Sequence, residues 1–343
     1  MQPLISVIVP VHDGAKFLPR CLEALTQPCT QPHELIVIDD GSNDDSARTA
    51  RDMGARVFSL SRQSGPAEAR NIGAQMAVGE ILLFVDADVV VQSGTLERVT
   101  RDFEEHPDIA AVFGSYDDEP AEKNFFSQYK NLFHHFVHQQ SNTEAGSFWA
   151  GCGAVRRDVF LAVGGFDAER YPRPAIEDIE LGYRMGAMGH RILLDKELQG
   201  KHLKQWTLRS LLKADIFCRA VPWSILILES KGMVNDLNLR TGERLSAGLV
   251  ALTLCVMAAS FLKPGLLLLI PLLLMGLIVL NHKFYRFFIR KRGLRFAILV
   301  LPLHYLYYCY SGFTFVAYWC RHFFQLRDLP RGPAELDNHS RRL

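Results

Sequence analysis

Ile81-Leu82-Leu83-Phe84-Val85-Asp86-Ala87-Asp88 joins five consecutive apolar residues to a pair of carboxylates. A short unbroken apolar run is the pattern of a strand buried on both faces, as in the parallel sheets of α/β proteins. Two stretches upstream have the same form. Leu4–Val11 is apolar and β-branched and runs into His12-Asp13, and Glu34–Ile38 runs into Asp39-Asp40-Gly41-Ser42. Helical stretches alternate with these runs: Leu18–Leu25, a segment from about Asp44, Pro66–Ala77 with Pro66 at a first-turn position, and Gly94–Glu105. Arg56–Leu60 and Ala110–Gly114 read as further strands. The alternation predicts an α/β fold with a doubly wound, mostly parallel sheet. Such sheets bind ligands outside the carboxyl ends of their strands. Asp39-Asp40 and Asp86-Ala87-Asp88 would share that edge, which solvation alone explains poorly.

Further along, Phe125–Gln140, Arg157–Gly164 and Glu177–Met188 read as helices, and Arg191–Leu194 as a late strand. Gly151-Cys152-Gly153 reads as a tight segment of small residues. The chain has 343 residues, 48% hydrophobic and 22% charged, which suits a packed core. Its 38 basic and 37 acidic residues leave a net charge of +1, so nothing global points to nucleic acid. Neither G-x-G-x-x-G after the first strand nor G-K-[ST] is present, which argues against a dinucleotide site and a P-loop. Seven cysteines without a C-x-x-C pair suit a reducing compartment and give no zinc signature. No signal peptide is visible at the N-terminus.

The composition changes at Leu245. The stretches 245–262, 265–281 and 296–320 are almost uncharged, and a bilayer span needs about 20 apolar residues. Lys283, Arg286, Arg290, Lys291, Arg292 and Arg295 lie between the second and third stretches. The positive-inside rule puts that loop, and with it the N-terminal domain, in the cytoplasm. A third full span would leave Arg321, Arg327, Arg331, Arg341 and Arg342 outside; the alternatives are a re-entrant stretch bent at Pro302 and a stretch that is only interfacial. Trp206–Leu228 mixes apolar residues with Arg209, Lys213 and Arg219 and suits a membrane surface, though an ordinary half-buried helix fits the pattern equally. The resulting division is a catalytic domain at 1–204, an interfacial segment at 205–235, a transmembrane region at 245–320 and a polar tail at 321–343. The expected location is the cytoplasmic membrane.

Two carboxylates just past a buried strand suit Mg²⁺ or Mn²⁺ with diphosphate oxygens. Asp86 and Asp88 are such a pair, and helix capping is the plainer reading. Asp39 and Asp40 can accept hydrogen bonds from a nucleoside, or merely cap a turn, where Ser42 with Asp45 resembles a capping box. Arg70 can reach a phosphate or stay a surface charge. Glu177 and Asp178 can serve a general base or simply favour a helix N-terminus. His202 can be a third metal ligand or structural.

Taken in order, these residues resemble the family 2 glycosyltransferases of GT-A fold. The resemblance rests on Val7–Asp13, Glu34–Ser42, Ala69-Arg70-Asn71-x-Gly73, Asp86-Ala87-Asp88, Gly164-Gly165-Phe166-Asp167 and Ile176-Glu177-Asp178, and spans about residues 4–202. It implies a nucleotide-sugar donor such as a UDP- or GDP-sugar, with Asp40, Pro10 and Asp39 at the nucleoside. Asp86 and Asp88 would hold metal and diphosphate, with His202 near the metal, and Asp178 would be the base of an inverting transfer. Gln205-Trp206-Thr207-Leu208-Arg209 departs from the Q-x-x-R-W of polysaccharide synthases, which disfavours a polymer product. The expected acceptor is a hydroxyl on a lipid or lipid-linked saccharide. The alternatives are transfer to a polyprenyl phosphate and a catalytically silent membrane scaffold.

Overall fold

The computed structural model describes residues 4–230 and 237–328. Residues 329–343 of the expected polar tail, and 231–235 of the expected interfacial segment, lie outside them.

The first strands form where the apolar runs stand. β1 (Ile5–Val11), β2 (His33–Asp39), β3 (Arg56–Ser59) and β4 (Ile81–Val85) pair in parallel in the order β3-β2-β1-β4. Helices α1 (Leu18–Leu25), α2 (Ser46–Asp52) and α3 (Pro66–Met76) connect them. Side chains of β1 alternate between two cores. Val7, Val9 and Val11 pack with Leu18 and Leu22 of α1 and with Val99 and Phe103 of α4 (Thr95–Glu105). Ile8 faces the other way, onto Ala67 and Ala74 of α3.

Beyond β4 the sheet departs from simple winding. It has nine strands, ordered β3-β2-β1-β4-β8-β6-β9-β5, with β7 (Glu144–Ala145) on β9. β8 (Cys152–Arg156) runs antiparallel between β4 and β6 (Ile109–Tyr116), and β5 (Val89–Val91) pairs antiparallel with β9 (Arg191–His202). The Gly151-Cys152-Gly153 segment is therefore the start of a central strand. Its small residues admit Phe148 and Trp149, since a Cβ on Gly153 would come within 2.3 Å of the Trp149 carbonyl oxygen. β9 runs eight residues past the expected Leu194, ending on His202. Helices α5 (Phe125–Gln140), α6 (Arg157–Ala162) and α7 (Glu177–Ala187) complete the domain.

Residues 208–229 form α8 (Leu208–Lys213), a π-helical turn (Ala214–Ala220) and α9 (Val221–Glu229). α10 (Thr241–Ser260) and α13 (Leu294–Asp328) are long and apolar enough to cross a membrane. Pro302 lies within α13, which continues through it as one helix. The second apolar stretch differs from expectation. It forms a 3₁₀ turn (Pro264–Leu268) and the twelve-residue α11 (Leu269–Leu280), which meets α12 (His282–Arg292) at a bend of 70°. α11 alone is shorter than a span requires.

Aromatic packing ties these helices to the domain. Tyr129 and Phe133 of α5 cluster with Trp206, with Phe284 and Phe288 of α12, and with Val300 of α13. Phe288 is fully buried, worth about 1.5–3 kcal/mol. Arg292 at the end of α12 donates to the Gln128 side chain at 2.6 Å and to the Asp118 carbonyl at 2.9 Å.

Candidate active site

The carboxyl ends of β1, β2 and β4 open into a cleft of about 610 Å³. Pro10, Asp40, Arg70, Asp86, Asp88, Glu177, Asp178 and His202 all line it. Of the expected site residues only Asp39 does not; its carboxylate accepts the Ser42 amide at 3.0 Å and shapes the turn.

At the β1–β2 end, backbone geometry is tightly held. Asp13 sits at φ 49°; its amide donates to Ser42 Oγ at 3.0 Å, and its carboxylate accepts the Asn43 amide at 2.7 Å. Asp40 is buried and accepts the amides of Ser64 and Gly65 at 2.6 and 2.8 Å. It thereby fixes the approach to α3. The Ser42–Asp45 capping box does not form; Asp44 instead accepts the Ser46 amide, its hydroxyl and the Ala15 amide.

Arg70 is not a surface charge. Nearly all of it is buried, and its guanidinium donates to Asp86 at 2.6 Å and Glu177 at 2.9 Å. It therefore links the strand-end acids to the start of α7 rather than presenting free donors to a phosphate. Glu177 also accepts the Ala175 amide at 2.9 Å.

Asp178, beside it, makes no salt bridge among the described residues. Its carboxylate accepts the amides of Ala150 at 3.1 Å and Ile179 at 2.8 Å. Burial, and then the charge of Glu177, outweigh Arg70 and push its pKa up to about 7. A carboxyl poised there can exchange a proton near neutral pH.

His202 arrives beside the acidic pair because β9 ends against β5. Val89 stands opposite His202 in the ladder, and Leu203 donates to the Asp88 carbonyl at 2.8 Å. The His202 ring stacks on Tyr116 at 4.2 Å, and its Nε2 lies 3.5 Å from Asp88 Oδ2. Burial alone would raise Asp88, but His202 and then Lys204 carry it below the usual carboxylate range. Burial pushes Asp86 up; Arg70 opposes this and the charge of Asp88 reinforces it.

Among the described residues no three His, Cys, Asp or Glu side chains converge as a ready-made cage. The donor set still fits a hard divalent cation. Mg²⁺ commonly takes one or two carboxylates and completes its shell with water and substrate phosphates. Asp88 with His202, and the Asp86 oxygen that Arg70 leaves free, offer that partial shell.

Several cleft residues escaped the sequence reading: Lys130, Tyr116, Lys204, Asp215 and Tyr307. Lys130 ion-pairs with Asp215, which also accepts the Tyr310 hydroxyl at 2.8 Å. Asp215 is the only acid between Glu197 and Glu229, a signal that was available.

With that geometry in place, comparison with known proteins is direct. The model of glycosyl transferase family 2 matches residues 6–164, from β1 to the end of α6. Residues 6–164 are thus similar to glycosyl transferase family 2 domains. Asp178 and His202 lie beyond the matched stretch of that domain. Among curated glycosyltransferases, GlyG of Streptococcus pneumoniae is 30% identical over 131 residues, 37% of this chain and 44% of that protein. The undecaprenyl-phosphate 4-deoxy-4-formamido-L-arabinose transferase of Serratia proteamaculans is 27% identical over 168 residues, 46% of this chain and 51% of that one. The aligned stretches thus span about half or less of these relatives. A solved structure of the mannosyltransferase PcManGT from Pyrobaculum calidifontis, in complex with GDP-Man and Mn²⁺, superposes with a TM-score of 0.50. It covers 92% of this chain and 88% of its own at 17% identity, a likeness of fold. The fold is the GT-A type that the resemblance implied.

Proposed function

We propose that the protein is a membrane-anchored, inverting glycosyltransferase that moves a sugar from a nucleotide-sugar donor to a hydroxyl on a lipid or lipid-linked saccharide. The observation that carries this reading is Asp178, a carboxyl with a pKa near 7 in the same cleft as the Asp86–Asp88 pair. Pro10 and the Asp40 turn form the nucleoside end. Asp178 takes the acceptor proton as the hydroxyl oxygen bonds to the anomeric carbon from the face opposite the departing diphosphate. Asp88, His202 and Asp86 would hold Mg²⁺ or Mn²⁺; a bound cation supplies neutralisation of charge on the leaving diphosphate. Arg70 keeps Asp86 and Glu177 in place. The neighbour bound to GDP-Man and Mn²⁺ supports a nucleotide sugar and a divalent metal in general terms.

The anchored topology has a specific support. The basic helix α12 packs on α5 of the catalytic domain, so both stand on one side of the spans, and the positive-inside rule makes that side cytoplasmic. We read 1–204 as the catalytic unit and 205–235 as the collar between it and the spans. A second reading, transfer to a polyprenyl phosphate, is favoured by the name of the Serratia relative. The silent-scaffold alternative has little in its favour, because the acids at the cleft remain complete. The test is donor turnover: purified full-length protein is given UDP- and GDP-sugars with Mg²⁺, Mn²⁺ or a chelator. Metal-dependent release of nucleoside diphosphate from one donor is expected. A protein that binds and turns over none of them would sink the reading.

A further inference from the structure

The cleft changes sign along its length. Its strand-end part is acidic: Asp13, Asp40, Asp86, Asp88, Glu177 and Asp178 line it, with Arg70 and His202 beside them. Its other half, towards α13, is lined by Lys130, Lys204 and Arg219 against Asp215 alone. Asp215 is already committed to Lys130 and Tyr310. Arg219 has no ion pair or hydrogen bond among the described residues. The Lys204 ammonium lies over the Trp206 ring at 4.7 Å and makes no salt bridge among the described residues, although its charge also reaches Asp88. The surplus charge is felt inside the protein: burial, and then Arg219, bring Lys130 down to about 8. Cations left unpaired in a concave site are costly unless an anion joins them.

Arg219 stands on the π-helical turn Ala214–Ala220, which presents both Asp215 and Arg219 to the cleft. Such turns are rare and recur at functional sites. The same end of the cleft is walled by Tyr307 and Ser311 of the candidate span α13, whose neighbouring Leu306 and Phe313 are exposed. An occupant of this half would meet cations and an apolar helix together.

Resting on the glycosyltransferase reading of the cleft, we propose that Arg219 and Lys204 bind the phosphate of a phosphorylated lipid acceptor whose chain lies along α13. The phosphate is a handle that presents the acceptor hydroxyl to Asp178, and the donor diphosphate stays at the acidic half.

Farnesyl phosphate, farnesol and inorganic phosphate serve as probes of the full-length protein in neutral detergent, with the nucleotide sugar measured in parallel. Farnesyl phosphate should bind roughly tenfold or more tighter than farnesol, the worth of one contact to a charged group. It should also outbind inorganic phosphate, which separates a lipid from a free anion. Arg219→Gln should erase the advantage over farnesol, Arg219→Lys should keep most of it, and Lys204→Gln, at an exposed site, should reduce it even if the Arg219 variants fold poorly. Equal binding of farnesol or of inorganic phosphate would overturn the proposal. So would an Arg219→Gln protein that loses nucleotide-sugar affinity while keeping farnesyl phosphate. Loss of nucleotide-sugar binding in the wild type would instead sink the glycosyltransferase reading, and the phosphate arms would still report on this half of the cleft.

Discussion

Glu177 and Asp178 are sequence neighbours at the start of α7, yet among the described residues only Glu177 is ion-paired: Arg70 donates to it at 2.9 Å, whereas the hydrogen bonds of the Asp178 carboxylate come from backbone amides. With that asymmetry, burial and the charge of Glu177 push the Asp178 pKa up to about 7. If ionised Asp178 is required, kcat/KM for transfer rises about tenfold per pH unit below 7 and levels off above it. A pH–rate profile of the free enzyme that is flat from pH 5 to 8 would exclude Asp178 as the titrating base.

The same group acts on stability with the opposite sense. Its folded pKa is raised above the unfolded 3.8, so its contribution is most favourable below about pH 4 and is lost as pH rises through 7. Asp178→Asn should therefore unfold at a higher temperature than the wild type at pH 8, while the two converge towards pH 4. Thermal unfolding in one detergent at both pH values checks this; a variant less stable than wild type at pH 8 contradicts it.

Arg70 compensates two buried carboxylates at once. Replacing it with Met leaves Asp86 and Glu177 without their cation, a change of the kind that costs about 3–5 kcal/mol. The Arg70→Met protein should unfold many degrees below wild type and lose turnover, whereas Arg70→Lys should recover part of the stability. Stability unchanged in Arg70→Met would mean that the ion pairs are not formed in solution.

Asp40 satisfies two amides that open α3. Asp40→Ala strands both, at about 1–3 kcal/mol per buried group, and lets the nucleoside end of the cleft relax. Nucleotide affinity should fall by roughly tenfold or more, with Asp40→Asn in between because its carbonyl still accepts one bond. Calorimetric titration with the nucleoside diphosphate provides the measurement.

A steric prediction tests the sheet itself. A Cβ on Gly114 would lie 1.7 Å from the Leu198 carbonyl oxygen, where β6 and β9 shift register. Gly114→Ala must push the strands apart, at about 1–3 kcal/mol or more. Gly54 has open space around it, but its φ of +83° makes Gly54→Ala a milder, conformational control.

Much of this was legible in the chain. Continuous apolar runs place β1, β2 and β4, because strands buried on both faces need no alternation, and acids at their ends mark the cleft. β8 was hidden because its Gly and Ala residues serve close packing against Trp149 and lack the β-branched signature of a strand. β9 hid its second half for a related reason: Asp195, Lys196, Glu197 and Lys201 interrupt the apolar pattern there, and its last residues, Gly200–His202, are held by pairing with β5. Lys130, Asp215 and Tyr310 could not be joined by spacing, since 85 and 95 residues separate Asp215 from its partners. The bend at Asn281 had a cue in the basic run after it, yet its angle comes from packing α12 on α5.

The central claim is that Asp178 removes the acceptor proton, and Asp178→Asn tests it most directly. Asparagine keeps the shape and the acceptor for the Ala150 or Ile179 amide but cannot take a proton. The account predicts that nucleotide-sugar binding persists while kcat for transfer to a hydroxyl acceptor falls by about 10²–10⁴-fold. Transfer within a few-fold of wild type, with the donor still bound, would contradict it and favour an acceptor that is already an anion.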